Sequence, residues 1–279
     1  MNNRFSSAGW PVIAILAAAL TACGDRKTES PVPAQGQPAE PSTRALDTGA
    51  AVLQNKPPVD ALNAYLDGFH FYNGRQAAQM EAHHYCAILS EELIQCVIYD
   101  GNVKEAKLMG VEYIISGRLF QSLPEEEKVL WHSHVHEVKS GQLIAPGIPE
   151  PAERALMEKL VGTYGKTWHT WHTDEKKSLP LGVPQLMMGF TADGQVDSAM
   201  VAARDQRFGV ESARRRADRA NIPAPAVAPG ADAWQQGKVY QVPDLAGVEH
   251  GTHGAAGAHG TNGTNQTNGP PAAASAAQR

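Results

Sequence analysis

A chain of 279 residues with 42% hydrophobic composition has enough apolar material for one sizeable core or two small ones. Its formal net charge of −5, with Arg214-Arg215-Arg216 as its one basic run, excludes an electrostatic nucleic-acid surface. Both ends then narrow the domain count to one.

Residues 1–22 read as a lipoprotein signal peptide. Arg4 supplies a positive start, Trp10 to Leu20 form an apolar run too short to span a bilayer, and Leu20-Thr21-Ala22-Cys23-Gly24 resembles a bacterial lipobox. In lipoproteins of this pattern the cysteine becomes the lipidated N-terminus, so Cys23 is the expected attachment point. Gly24 in place of Asp favours the outer membrane, facing the periplasm, as the location in the cell envelope. Residues 23–57, rich in Pro, Ala, Gly, Ser and Thr, read as a disordered tether, and residues 223–279 as a low-complexity disordered tail that includes His250, His253 and His259. The folded domain is expected over residues 58–222.

Within it, Val59, Leu62, Tyr65 and Leu66 fall at helical spacing, predicting a helix over Pro58–Asp67. Met80–Leu89 and Leu93–Tyr99 read as a hairpin around Glu91, which places Cys86 opposite Cys96 and His84 opposite Ile98. Val111, Ile114, Ile115 and Leu119 predict a helix over Lys107–Leu123, and Pro124 with Glu125–Glu127 opens another turn. Trp131–Val138 has a strand period, closed by a turn at Lys139–Gln142. Glu150–Tyr164 is amphipathic, Leu186–Thr191 is a buried strand, and Val196–Ala220 is a charged, mostly solvated helix or helix pair. The resulting expectation is an α+β fold: a single domain of antiparallel β-hairpins and several packed helices.

Eight of the eleven histidines lie between His70 and His172, so any chemistry is expected there. On a strand, His132, His134 and His136 would share one face, a spacing at which imidazoles converge on a first-row metal. His84, His169 or a carboxylate such as Glu81 could complete an open site for a divalent transition metal such as zinc. His169 could equally carry protons. Cys86 and Cys96 could form a disulfide, remain buried thiols or serve as ligands beside His84. Gly162-Thr163-Tyr164-Gly165-Lys166-Thr167 lacks the spacing of a phosphate loop, and no nucleophile elbow is present, so no complete catalytic motif is found.

Several longer blocks carry a resemblance. His70-Phe71-Tyr72, Glu81-Ala82-His83-His84-Tyr85-Cys86, Gln95-Cys96-Val97-Ile98-Tyr99-Asp100, Gly110-Val111-Glu112-Tyr113-Ile114, Trp131-His132-Ser133-His134, Gly162 to His169 and Leu179-Pro180-Leu181-Gly182 are similar to the oil-body-associated protein family, in order over about residues 60–215. The resemblance implies an association with lipid surfaces and no known enzymatic activity. It weakens His136 and His172 as ligands, since family members have other residues there. It also weakens a purely disulfide role for the cysteines, because plant members live in a reducing cytosol. The expected function is therefore a lipid-anchored envelope protein with a non-catalytic binding or lipid-surface role, whose partners are the membrane, through Cys23, and a protein or lipid not identified by the sequence. A metal-binding domain, enzymatic or not, is the alternative.

Overall fold

The computed structural model describes residues 26–243; Cys23 and the three histidines of the C-terminal stretch lie outside the described residues. Helices α1 (Pro41–Leu53) and α2 (Pro57–Asp60) lead into strands β1 (Ala64–Tyr72), β2 (Arg75–Ser90), β3 (Leu93–Tyr99) and β4 (Leu108–Ser116). An excursion follows through α3 (Gly117–Gln121), α4 (Glu125–Lys128), the two-residue β5 (His132–Ser133), α5 (Val135–Ser140) and α6 (Glu150–Leu160). The chain then returns as β6 (Thr163–His169) and β7 (Gln185–Met188), and ends with α7 (Ser198–Phe208) and α8 (Ser212–Asp218).

The strands run in the order β4-β3-β2-β1-β7-β6, and β4 also pairs with β6. Every pairing is antiparallel. The sheet therefore closes on itself as a six-stranded antiparallel barrel, with β5 adding a short pairing to β6. This corrects the expected α+β arrangement, in which packed helices would share the core. The helices here are short and cover the barrel from outside or plug one end of it.

The local errors have a common cause. Lys107–Leu123 is mostly strand β4, with Glu112 and Ile114 pointing inside and Ile115, on the outer face, covered by Phe120 and Trp131 while Tyr113 is exposed. A strand covered on part of its outer face as well loses its strict period of two, and its β-branched residues then fall at helical spacing by accident. Pro58–Asp67 yields only the single turn of α2, since β1 takes long-range partners in β2 and β7. Trp131–Val138 is strand only at His132–Ser133. Gly141, expected in a hairpin turn, caps α5 with φ 81°, a left-handed conformation that glycine adopts without strain. The hairpin register is as expected, with Cys86 paired to Cys96 and His84 to Ile98.

Two segments expected to be free are attached. Asn102 clasps the Arg26 carbonyl and the Thr28 backbone N–H, and Val32 is buried, although α1 beyond it buries nothing. Past residue 222, Ala228 N–H donates to the Tyr164 hydroxyl, Asp232 accepts from Ser133, and Trp234 stands edge-on to Phe71. The Pro/Ala-rich composition concealed this apolar strap. Nor is the α7–α8 pair mostly solvated at its anchors. Arg204 and Arg219 are fully buried, the first on Asp67 and the second on Glu153 and two backbone carbonyls. No helix of the described residues is long and apolar enough to cross a membrane.

Candidate metal centre

Alternation along the strands sends His70 of β1, His84 and Cys86 of β2, Glu112 of β4, and Gly165, Thr167 and His169 of β6 into the barrel. The excursion between β4 and β6 adds His132 from β5 and His134 and Glu137 from the first turn of α5. All of these side chains are buried.

Glu112 is the hub. Its Oε2 lies 3.0 Å from His84 Nε2, and its Oε1 lies 3.2 Å from His134 Nε2 and 3.4 Å from His132 Nε2. Burial alone would raise its pKa, but hydrogen bonding from His132, His134 and His84 holds the carboxyl well below the usual range. The ring His70 packs edge-on against His84 and His132, and its Nδ1 lies 3.4 Å from His169 Nε2. Burial, reinforced by His84, pushes His70 well below the ordinary histidine value, and burial with His172 pushes His169 to about 3. Both are neutral imidazoles. Burial also pushes the Glu137 carboxyl up to about 7.

The outer partners fix the tautomers. Thr163 Oγ1 donates to the Leu160 carbonyl, so at 2.8 Å it must accept from His134 Nδ1–H. His84 Nδ1 lies 3.1 Å from the Ala82 carbonyl, which can only accept. A neutral ring would thus turn an Nε2 lone pair to the Glu112 carboxylate, so a proton or another cation is favoured between them; burial alone would lower the His84 pKa, but its hydrogen bond to Glu112 and the carboxylate charge raise it. His132, fully buried, has no partner for Nδ1 and only the long 3.4 Å approach to Glu112 for Nε2, and Glu137 Oε1 and His169 Nδ1 are unpartnered as well. Buried polar atoms of this kind are costly unless something sits between them.

The donor atoms of His70, Glu112 and His132 lie within 4.8 Å of one another, as do those of His132, His134 and Glu137. Free space beside them amounts to about 20 Å³, room for a water or an ion but not for an organic substrate. Two glycines make the chamber possible. A Cβ at Gly165 would collide with Glu112 Oε1 and lie 2.8 Å from Nε2 of both His132 and His134, and one at Gly189 would collide with Glu137.

Of the residues expected from sequence, the structure brings together His84, His132 and His134. His169 stands behind His70 rather than facing Glu112. His136 is turned away on α5 beside Asp193, and His172 bonds the Tyr72 hydroxyl. Cys86 and Cys96 are joined by a disulfide. Glu81 lies on the outer face of β2 with Asp67 and His83, and there Arg207 and Arg204 already neutralise the two carboxylates. His70, Glu112 and Glu137 were missed. The signal for Glu112 was an acid inside the apolar run Val111–Ile115, which becomes telling only once that run is a strand.

Fold and site define a closed antiparallel β-barrel with a buried histidine–carboxylate centre. The comparisons place it further: a family described as "Protein of unknown function (DUF1264)" matches residues 56–223. "Oil body-associated protein 1B" of Arabidopsis thaliana is 44% identical over 190 residues, covering 68% of this chain and 79% of that protein. "Oil body-associated protein 2A" of Zea mays is 41% identical over 203 residues, 71% of this chain and 81% of its own. "Oil body-associated protein 2C" of Arabidopsis thaliana is 38% identical over 218 residues, 77% and 92%. The chain belongs to the oil-body-associated protein family. No solved structure matches it.

Proposed function

We propose that this domain is a metal-binding module in which His84, His132, His134 and Glu112 hold one divalent transition ion, such as zinc. The observation that carries the reading is the convergence of three imidazole Nε2 atoms, from three elements, on one buried carboxylate. A metal cation between them takes the place of the protons these contacts need and makes four bonds, and Thr163 and the Ala82 carbonyl serve as the outer partners that orient His134 and His84. Three imidazoles and a carboxylate are a donor set suited to zinc and its first-row neighbours. Because the chamber excludes a substrate, the ion's role is to tie β2, β4 and the β5–α5 excursion together. The role is structural rather than catalytic.

Protein purified without an immobilised-metal column should retain about one ion per chain after dialysis, as a closed site of this type does. His132→Ala should lose the ion and lower Tm while keeping the β-rich circular dichroism spectrum. A metal-free preparation in which His132→Ala melts like the parent would sink the reading.

The names of the relatives, oil body-associated proteins, support a lipid-surface association for this chain, whereas its attachment to a cell envelope through a lipidated Cys23 rests on the apolar segment before that cysteine alone. Cys23→Ser is expected to move the protein from the membrane fraction to the soluble one. Retention in the membrane fraction would exclude the anchor.

A further inference from the structure

The disulfide is a direct strand neighbour of Glu112, the hub of the chamber. Cys86 pairs directly with Cys96, and Cys96 pairs directly with Glu112, which in turn pairs with Thr167. Directly opposed residues share a face of the sheet, with Cβ atoms about 4.5–5.5 Å apart. Cys86, Cys96, Glu112 and Thr167 thus form one level of the barrel interior. His84 sits one inward step from Cys86 and reaches Glu112 Oε2 at 3.0 Å. Leu66 and Ile114 belong to the same buried cluster as the two cysteines and also line the chamber. His84 Nε2 and Glu112 Oε2 are thus two metal-ligating atoms on residues next to the cysteines, the first two positions from Cys86 on β2 and the second directly opposite Cys96.

We infer that the Cys86–Cys96 disulfide is a redox control on the metal centre, and that its reduction supplies Cys96 as a thiolate ligand beside His84 and Glu112. The inference rests on the metal reading above. A dithiol is the reductant: the Cys86–Cys96 bond breaks, each sulfur gains a proton and an electron, and the dithiol closes to its own disulfide. Binding of the ion then releases the Cys96 proton. In the oxidised protein the donor set is nitrogen and oxygen only. In the reduced protein it includes sulfur, which shifts preference toward softer ions.

Cobalt(II) is a direct probe, because sulfur ligation adds a charge-transfer band in the near ultraviolet. The oxidised parent should bind cobalt without that band. The dithiothreitol-reduced parent, with both thiols confirmed by alkylation and mass measurement, should show it and bind zinc roughly tenfold or more tightly. Cys86→Ser, which frees Cys96 without any reductant, should show the band as well, and Cys86→Ser/Cys96→Ser should bind cobalt without it. If reduced parent and Cys86→Ser bind cobalt with the spectrum of the oxidised parent, the redox inference is overturned while the metal reading stands. If no form binds cobalt, the metal reading itself fails. Should Cys86→Ser not fold, the reduced parent decides alone.

Discussion

Glu112→Gln is expected to empty the centre and to destabilise the barrel by about 3–5 kcal/mol, the cost of leaving buried partners without their counter-charge. The replacement keeps the shape of the side chain but removes the charge on which His84, His132 and His134 converge. Its amide would also turn an N–H toward imidazole groups on one side only. Urea denaturation gives the stability and metal analysis the occupancy. A variant that holds the ion and unfolds within about 1 kcal/mol of the parent would show that Glu112 is not the hub. Gly165→Ala is the complementary experiment, since its added methyl keeps the charge and pushes the three Nε2 and Oε1 donors apart. It should lose metal for a steric reason, with a smaller stability cost of about 1–3 kcal/mol.

The second large effect is expected at the opposite face of β1. Asp67 is fully buried and bonds Arg204 at 2.8 Å and His83 at 3.0 Å. Asp67→Ala should cost about 3–5 kcal/mol, because Arg204 would remain buried with only Asp205, Ser212 and a carbonyl as partners. Burial alone would raise the Asp67 pKa, but the hydrogen bond from His83 and the Arg204 guanidinium hold it below the usual carboxylate value. The unfolded chain therefore binds a proton at Asp67, near pH ~3.9, before the native state does. Its contribution is full above that pH and is lost as pH falls through the native value. Stability measured from neutral to acid pH should consequently fall less steeply in Asp67→Ala than in the parent. Parallel curves would assign the acid sensitivity to other carboxylates.

The part of the site legible in the sequence was the part carried by local pattern. The His84–Cys86 step and the Cys86–Cys96 register follow from a two-strand hairpin with a short loop, and the structure keeps that register. His132 and His134 converge for a reason other than the one expected. They belong to a strand end and a helix start, where the turn between them aims both rings at one carboxylate. What escaped depends on closure. Nothing local to Val111–Ile115 shows that β4 meets β6, so Glu112 could not be recognised as an interior residue. His70 needed the same global fact, since β1 becomes an inner wall only when β7 flanks it. Composition misled at the C-terminal strap, where Ala228, Ala231, Asp232 and Trp234 fasten an otherwise Pro/Ala-rich stretch.

Closure also limits how this domain can keep company. A sheet joined to itself offers no lateral rim along which an extended peptide could add a further strand, apart from the overhanging ends of β2, its longest strand. Recognition by backbone zippering is thereby largely closed off, and with it the common route to edge-to-edge aggregation. Contacts with other molecules must instead be made by side chains outside the barrel wall. Exposed leucines, among them Leu46 and Leu53 on α1, Leu89 on β2, Leu108 on β4, and Leu179 and Leu181 between β6 and β7, are apolar positions from which such a contact would be built.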